Sequence, residues 1–120
     1  MHQDQSKSKT IVFNKKVYPC TTSLTMGLIG GKWKTVILKN LKGGNLRYNE
    51  LRKSMPTVTE RTLSLQLKSL EEDGLVQRRV YHKNPPIKVV YLLTDFGKTI
   101  IPLVDAITEW GEGVVENHIQ

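Results

Sequence analysis

TVTERTLSLQLKSLEEDG, residues 57 to 74, is the stretch that decides the fold of this 120-residue chain. Leu63, Leu67 and Leu70 recur at i, i+4 and i+7, which is the spacing of a helix with one buried face. Thr59 is a good N-cap for this helix, and Gly74 is a good residue to end it. The stretch therefore predicts an amphipathic helix from Thr59 to Gly74.

A second predicted helix lies directly before it, in NLRYNELRKSMP at residues 45 to 56. We expect a short extended piece at Leu46, followed by a helix that Pro56 ends. Only four residues, Pro56 to Thr59, separate the two helices. That separation is typical of a helix-turn-helix, whose second helix enters the major groove in the proteins that bind DNA.

The residues after Gly74 change from helical spacing to the alternation of a β-hairpin. In LVQRRVYH (75 to 82), Val76 and Val80 fall on one side of a strand, and Gln77 and Arg79 fall on the other. KVVYLL (88 to 93) is a run of β-branched and aromatic residues. Between them, the two prolines of KNPPI cannot donate to a ladder and predict the tip of the hairpin. A hairpin with a basic tip directly after a helix-turn-helix is a two-stranded wing.

A long C-terminal helix is predicted to begin after Thr94, which is a good N-cap. Pro102 removes one helical hydrogen bond within this helix, so we expect a kink there and not a break. The apolar stripe of the helix comprises Phe96, Ile100, Leu103, Val104, Ile107, Trp110 and Val114.

The N-terminal part is predicted to contain a tail and two shorter helices. Residues 1 to 18 are expected to be a flexible basic arm, since the first ten residues show no apolar period. Thr21 is expected to cap a short helix, and KWKTVILKNLKGG (32 to 44) to form a second one. Residues 19 to 120 are therefore predicted to form one α+β, mainly α domain with the winged helix-turn-helix fold.

The charge of the chain is positive and polarised. Lys and Arg number 18 against 11 Asp and Glu, which gives a net charge of +7. The net charge is positive over residues 1 to 93 and negative over residues 94 to 120. A polyanion such as nucleic acid or an anionic membrane is therefore expected to meet the first part of the chain. A solvated basic surface without a partner is the alternative that charge alone leaves open.

The sequence offers little support for a catalytic, metal-binding or membrane role. The three histidines are scattered, and no Cys, His or carboxylate cluster has metal-ligand spacing. GGK at 30 to 32 fails as a phosphate loop, because Met26 and Trp33 stand where glycine and Ser or Thr are required. We expect no enzyme and no cofactor. The absence of a long apolar run or signal peptide favours a cytoplasmic protein.

Several sequence motifs together resemble those of the HxlR-type helix-turn-helix transcription regulators, which are MarR-like proteins. They are Cys20, LIGGKWK (28 to 34), ILKNL (37 to 41), RYNELRKSMP (47 to 56), LSLQLKSLEEDGLVQRRVY (63 to 81) and YLLTDFGKTIIPLVDAITEWG (91 to 111). The resemblance implies a cytoplasmic, homodimeric bacterial regulator that binds double-stranded DNA. It also implies that the first and last helices build the dimer, through Leu24, Leu28, Ile100, Leu103, Val104, Ile107, Trp110 and Val114.

The face of the second helix opposite its leucines is expected to read DNA bases. It carries Arg61, Thr62, Leu65 and Lys68. Arg61 can donate two hydrogen bonds to the O6 and N7 atoms of a guanine, a geometry that lysine and serine cannot copy. Leu65 can touch a thymine methyl group; a contact with a partner protein and an ordinary surface leucine are the alternatives.

A larger set of polar residues is expected to hold the DNA backbone. Residues near helix N-termini can bring donors to a phosphate, and a basic hairpin can lie along the backbone or enter a narrow minor groove. Core packing for Tyr48, simple capping for the threonines and a solvated wing are the alternatives. The predicted backbone residues are Arg47, Tyr48, Asn49, Thr57, Thr59 and Ser69, and those of the wing are Arg78, Arg79, His82, Lys83 and Lys88.

Cys20 and the choice of partner each leave two interpretations. Cys20 lies at the entrance to the first helix, where the helix dipole and nearby Lys15 and Lys16 can raise the reactivity of a thiol toward oxidants or electrophiles. A small buried residue that fills space is the alternative. The fold also suits a protein-interaction module without DNA specificity, although the basic helix face favours a DNA-binding regulator.

Overall fold

The computed structural model describes residues 10 to 82 and 84 to 119. Over these residues the elements follow one another in the order of a winged helix-turn-helix, so the predicted mainly α fold class is confirmed. None of the described helices is both long and apolar enough to cross a membrane. The elements are β1 (Ile11–Phe13), β2 (Lys16–Tyr18), α1 (Thr21–Ile29), α2 (Lys34–Leu41), β3 (Leu46–Arg47), α3 (Tyr48–Ser54), α4 (Glu60–Glu72), β4 (Val76–Val80), β5 (Val89–Leu93), α5 (Asp95–Lys98) and α6 (Ile101–His118).

The core forms where α4 packs against the helices before it. Leu63, Leu67 and Leu70 of α4 are buried, as their spacing predicts. They join Ile37 and Leu38 of α2, which are fully buried, in one apolar cluster. Burying a leucine side chain contributes about 1.5 to 3 kcal/mol, so this stripe decides which face of α4 points outward.

The wing hairpin forms as predicted, but its sheet has a third strand. β5 lies in the middle of the sheet, with β4 on one side and β3 on the other, and both pairs are antiparallel. β3 comprises only Leu46 and Arg47, which pair with Tyr91 and Val90. The extended piece lies where the sequence predicts it, but two residues are too few to show the alternation that would indicate a strand partner.

The C-terminal segment breaks into two helices, so the predicted kink at Pro102 is wrong. α5 ends at Lys98, and α6 begins at Ile101. Pro102 is the second residue of α6, where it removes no helical hydrogen bond because the first N–H groups of a helix have no partner. Thr94 is an N-cap, since its hydroxyl oxygen accepts from the N–H of Gly97 at 2.8 Å, but it caps the short α5 and not the long helix for which it was predicted.

Part of the predicted N-terminal arm is a folded hairpin. β1 and β2 form an antiparallel pair with Ile11 opposite Tyr18. The two-residue turn between them is Asn14 and Lys15, whose φ angles of 49° and 67° suit a type I′ turn. Lysine is uncommon at such a φ, so the pair does not resemble the usual turn signals. The arm prediction is therefore wrong for residues 11 to 18, and residues 1 to 9 lie outside the described residues.

The hairpin is fastened to the C-terminal end of α4. The side-chain amide of Asn14 donates to the carboxylate of Asp73 at 2.9 Å and to the carbonyl of Glu72 at 3.1 Å. Asp73 is only 5% exposed, and a carboxylate buried to this degree requires a donor. Phe13 also packs on Phe96, with ring centroids 5.9 Å apart. We call the group formed by Asn14, Glu72 and Asp73 the hairpin latch.

Breaking the hairpin latch is expected to lower the stability of the domain through a coupled pair. Asn14→Ala and Asp73→Ala are made singly and together, and the free energy of unfolding is measured in urea. A hydrogen bond to a part-buried charged group predicts a coupling of about 1 to 2 kcal/mol between the two changes. Asn117→Ala is the control, because the Asn117 side-chain amide donates within α6. Its effect on the free energy of unfolding should simply add to that of Asp73→Ala. Simple additivity of Asn14→Ala and Asp73→Ala would contradict the latch.

Candidate nucleic-acid interface

The turn between α3 and α4 is fixed at the peptide groups of Val58. Val58 and Met55 are buried, and the Val58 N–H donates to the Met55 carbonyl at 3.1 Å. The Arg52 guanidinium, in the last turn of α3, donates to the Val58 carbonyl at 2.9 Å. With both polar groups bonded, the turn holds the two helices at one angle. The sequence alone does not reveal Arg52, because its spacing does not separate it from the solvent-facing residues around it.

Tyr48 is a brace between α3 and α4. Its hydroxyl donates to the carbonyl of Glu60 at 3.1 Å and lies 3.3 Å from the hydroxyl of Ser64. Its ring is half-buried against the core. A tyrosine has one hydroxyl proton, and with a carbonyl accepting it, no donor remains for a phosphate. The structure therefore supports the alternative packing role of Tyr48 and not the predicted contact with the DNA backbone.

The outward face of α4 carries three of the four residues predicted to read bases. Arg61, Leu65 and Lys68 are exposed and follow one another at i, i+4 and i+7. Leu65 is 51% exposed, so the core does not account for it. The fourth residue, Thr62, is half-buried, and its N–H donates to the Thr59 hydroxyl oxygen at 3.1 Å. We call Arg61, Leu65 and Lys68 the recognition stripe.

The residues predicted to hold the DNA backbone lie at the starts of the two helices. Thr57 and Thr59 are exposed before α4, and Arg47 and Asn49 are exposed at the start of α3. The Thr59 oxygen accepts a backbone N–H of α4, so the predicted cap forms and the hydroxyl proton is still free to donate. Ser69, near the other end of α4, is half-buried. The exposed donors of this set therefore concentrate at two helix N-termini.

In the wing, Tyr81 holds two of the predicted basic side chains in place. The Arg79 guanidinium donates to the Tyr81 hydroxyl at 3.3 Å and to the Gln77 side-chain oxygen at 3.4 Å. The Lys88 ammonium lies 5.4 Å from the centroid of the Tyr81 ring, a cation–π distance. The sequence alone does not reveal this role of Tyr81, because tyrosine in a strand usually indicates packing. The other predicted wing residues are Arg78 and His82, which are both exposed, and Lys83, which lies outside the described residues.

The register of the sheet brings Arg47 and Arg79 to one face. Both residues pair with Val90, Arg47 from β3 and Arg79 from β4. Direct partners across a ladder point to the same side, so the two arginines flank Val90 with backbones about 10 Å apart. Val90 is 5% exposed. The entrance to the helix-turn-helix and the wing therefore form one continuous basic face.

The residues predicted to build the dimer fall into two groups. Leu28 and Val104 are 6% and 1% exposed and belong to the core of their own protomer, so they cannot meet a partner. Their spacing predicted the stripe correctly, but spacing does not tell which edge of a stripe faces the protomer's own core. Leu24 and Ile100 pack against the same core. The members left toward the surface of α6 are Leu103, Ile107, Trp110 and the half-buried Val114.

The exposed apolar stripe of α6, which we define as Leu103, Ile107 and Trp110, is large for a protein surface. Trp110 is 76% exposed, and Leu103 and Ile107 are exposed beside it at helical spacing. Val114, which lies on the same side of α6 one turn after Trp110, is half-buried. Neighbouring apolar side chains of this size mark an interaction surface.

Cys20 is exposed immediately before α1. It occupies the N-cap position that the sequence assigned to Thr21, and its thiol makes no capping hydrogen bond. The alternative of a buried, space-filling cysteine is therefore wrong. The Leu24 N–H donates to the Cys20 carbonyl at 3.0 Å, so the backbone at this residue is part of the first turn.

These features define the class of the protein. A helix-turn-helix with a fixed turn, an outward helix face bearing cations and a basic wing are the parts of a winged helix-turn-helix regulator. The chain belongs to the HxlR-like helix-turn-helix family, whose model matches residues 28 to 119. The family and its relatives are transcriptional regulators and not enzymes, and so is this chain, as the sequence predicts.

Similar proteins agree with this assignment. The chain is 47% identical over 102 residues to the HTH-type transcriptional regulator YybR of Bacillus subtilis (strain 168). This match covers 82% of this chain and 81% of that protein. The redox regulator HypR in its oxidised form has a TM-score of 0.75 at 47% identity, covering 78% of this chain and 96% of that one. A MarR-family regulator from Enterococcus faecalis V583 has a TM-score of 0.69 at 31% identity, and the match covers 80% of this chain and 86% of that chain.

Proposed function

We propose that this regulator binds a specific double-stranded DNA site as a homodimer in the cytoplasm, with α4 of each subunit in the major groove. The observation that carries the proposal is the recognition stripe. Arg61, Leu65 and Lys68 project from the face of α4 opposite its buried leucines, on the second helix of the helix-turn-helix. An exposed helix face that is held by a fixed turn is suited to enter a groove.

Each member of the recognition stripe has a chemistry that suits a base edge. Arg61 lies in the first turn of α4, the part of a recognition helix that meets base edges, and can donate two hydrogen bonds to a guanine. Leu65 offers an apolar surface between two cations, which matches the methyl group of thymine. Lys68 follows one turn further on and can reach a guanine or a phosphate.

Phosphate contacts supply affinity and set the register of the protein on the duplex. The hydroxyls of Thr57 and Thr59 and the side chains of Arg47 and Asn49 lie at helix N-termini, where phosphate binding is favoured. Arg79, ordered by its bond to the Tyr81 hydroxyl, extends this set along the sheet. Further wing contacts are proposed for Arg78, His82, Lys83 and Lys88.

The exposed apolar stripe of α6 supports the homodimer. Acidic residues on the same helix, among them Asp105, Glu109 and Glu112, repel DNA and leave a second protein surface as the natural occupant. In a two-fold symmetric dimer this surface meets its own copy. The two recognition helices then address half-sites about 34 Å apart, or a multiple of that distance.

Base readout and backbone anchoring are expected to separate in two arginine variants. Arg61→Ala should weaken binding to the preferred site by about 1 to 3 kcal/mol per bidentate contact and relax the preference at one base position in each half-site. Arg79→Ala should weaken binding to all DNA sequences alike. It should also reduce the slope of log affinity against log salt concentration by about one unit for each phosphate that the variant no longer neutralises. The measurements are fluorescence anisotropy at several salt concentrations and selection of bound fragments from genomic DNA.

Two outcomes would contradict the division of roles. Identical behaviour of the two variants would show that Arg61 is a backbone contact. A flat salt dependence of the wild type on random duplex DNA would favour a protein-interaction module, since DNA binding releases counterions.

The exposed apolar stripe of α6 is expected to be required for dimer formation. Trp110→Asp should give a monomer by sedimentation at micromolar concentration, because the variant places a charge in the apolar interface. Ile87→Asp, which changes another exposed apolar residue at the wing, is the control and should stay dimeric. A wild type that sediments as a monomer and still binds its operator tightly would refute the homodimer.

We also propose that Cys20 makes this regulator responsive to oxidants or electrophiles. The support is an exposed thiol at the start of α1, together with the similarity to HypR, which is a redox regulator. The chain has a single cysteine, so an electrophile adds to its sulfur, or the Cys20 thiols of two subunits form a disulfide and give two hydrogens to the oxidant. The β1–β2 hairpin ends at Tyr18, close to Cys20 in the chain, and the hairpin latch joins this hairpin to α4. A change at Cys20 therefore has a short path to the recognition helix.

Diamide treatment is expected to weaken operator binding through Cys20 alone. The affinity of the wild type should fall by about 5- to 150-fold, the usual range for coupled sites, and return on reduction with dithiothreitol. Cys20→Ser should keep its affinity under the same treatment. Unchanged wild-type binding would leave Cys20 without a sensing role, and weaker binding by both proteins would show that the reagent acts elsewhere.

A further inference from the structure

Glu60 places a negative charge among the cations of the surface that is proposed to meet DNA. It is the first residue of α4, it is exposed, and it directly precedes Arg61 of the recognition stripe. On the neighbouring helix, Arg47 and Asn49 are exposed at the start of α3. A carboxylate in such a surface repels the phosphates of DNA, so a compensating contact is expected in the complex.

Contacts inside the domain do not account for this carboxylate. Within the described part of the chain, the Glu60 side chain has no hydrogen-bond partner and no ion pair. Glu50, an exposed acid in the first turn of α3, differs, because its carboxylate accepts from the Arg47 N–H at 2.7 Å. The local role that is left to Glu60 is the weak attraction of a first-turn carboxylate to the helix dipole.

The backbone of Glu60 is fixed, so its side chain starts from a defined position. The Tyr48 hydroxyl donates to the Glu60 carbonyl at 3.1 Å, and the Thr59 hydroxyl oxygen caps the same turn. Leu63, one turn further on, is buried in the core. A side chain held in this way loses little freedom on binding and can discriminate between bases.

The recognition stripe lacks the hydrogen-bond acceptor that Glu60 carries. Arg61 and Lys68 only donate, and Leu65 does neither. In the major groove, cytosine presents a donor, its N4 amino group, so the stripe has no group that can read it. Adenine also presents an amino group, but its N7 acceptor lies beside that group and repels a carboxylate. The carboxylate of Glu60 therefore matches cytosine best.

We propose that Glu60 determines specificity by selecting a cytosine in each half-site, in the base pair next to the guanine that Arg61 reads. This inference rests on the DNA-binding function proposed above. On the operator, the cytosine amino group donates to the carboxylate and compensates for its charge. On other sequences that donor is missing and the repulsion by phosphates remains. Glu60 therefore lowers non-specific affinity and widens the ratio between specific and non-specific binding.

Glu60→Gln removes the charge with little change in size, and Glu72→Gln is the matched control. Glu72 is exposed near the other end of α4, and the hairpin latch uses only its backbone carbonyl. Fluorescence anisotropy measures the affinity of each protein for random duplex DNA and for the operator. Glu60→Gln should bind random duplex about two- to fivefold more tightly than the wild type, because one charge near the phosphates is gone. Glu72→Gln should leave the preference at every base position unchanged.

Base selection and a modified operator identify the contact itself. Glutamine pairs with the N6 and N7 atoms of adenine, so the sites that Glu60→Gln selects should carry adenine where the wild type selects cytosine. Replacement of that cytosine by 2-pyrimidinone, which lacks only the amino group, should weaken binding by the wild type about 5- to 150-fold. Glu60→Ala should bind the two operators equally, because it has no acceptor for the amino group.

Three results would overturn the inference about Glu60. They are weaker binding of Glu60→Gln to every sequence, an unchanged base preference in that variant, and equal sensitivity of the wild type and Glu60→Ala to 2-pyrimidinone. The proposed function has a separate readout, since Arg61→Ala changes the preference at the guanine whether or not Glu60 reads the cytosine. A wild type without any sequence preference would contradict both proposals.

Discussion

The burial of Leu63, Leu67 and Leu70 is the constraint on which the rest of the structure depends. Three leucines buried on one side of α4 contribute about 5 to 9 kcal/mol together, which is comparable to the whole net stability of a small domain. Rotating α4 to hide its other face would expose these leucines. The recognition stripe lies on the opposite side of α4, so it must face outward, where Arg61, Leu65 and Lys68 are available to a partner.

Burial fixes the rotation of α4, while polar contacts fix its direction. Arg52 bonds the turn at one end of the helix, Tyr48 braces its first turn, and the hairpin latch closes on its last turn. The first two contacts lie within residues 28 to 119, the range that matches the family model, whereas Asn14 lies before it. The direction of the recognition helix therefore depends partly on a segment outside that range.

The features that the sequence predicts well depend on local chemistry, and those that it does not reveal depend on tertiary contacts. The cap at Thr59 and the leucine spacing of α4 are local, and both agree with the structure. The turn at Asn14 and Lys15 lacks the usual glycine, so the sequence predicts an arm where the structure has a hairpin. Val104 is predicted at the dimer but is buried, because helical spacing shows that a side is apolar and not which neighbour covers it. Within the nucleic-acid interface, the exposed charged residues can be predicted from the sequence. The role of Arg52 cannot, because it depends on the geometry that brings the Val58 carbonyl to its guanidinium.

Methylation interference on operator DNA tests most directly whether α4 reads the major groove. Operator fragments selected from genomic DNA are methylated lightly with dimethyl sulfate, and the fragments that the protein still binds are sequenced. Methylation at guanine N7, which lies in the major groove, should block the wild type at one guanine in each half-site, and Arg61→Ala should no longer show that sensitivity. Interference only at adenine N3 in the minor groove, or equal interference in both proteins, would contradict the account.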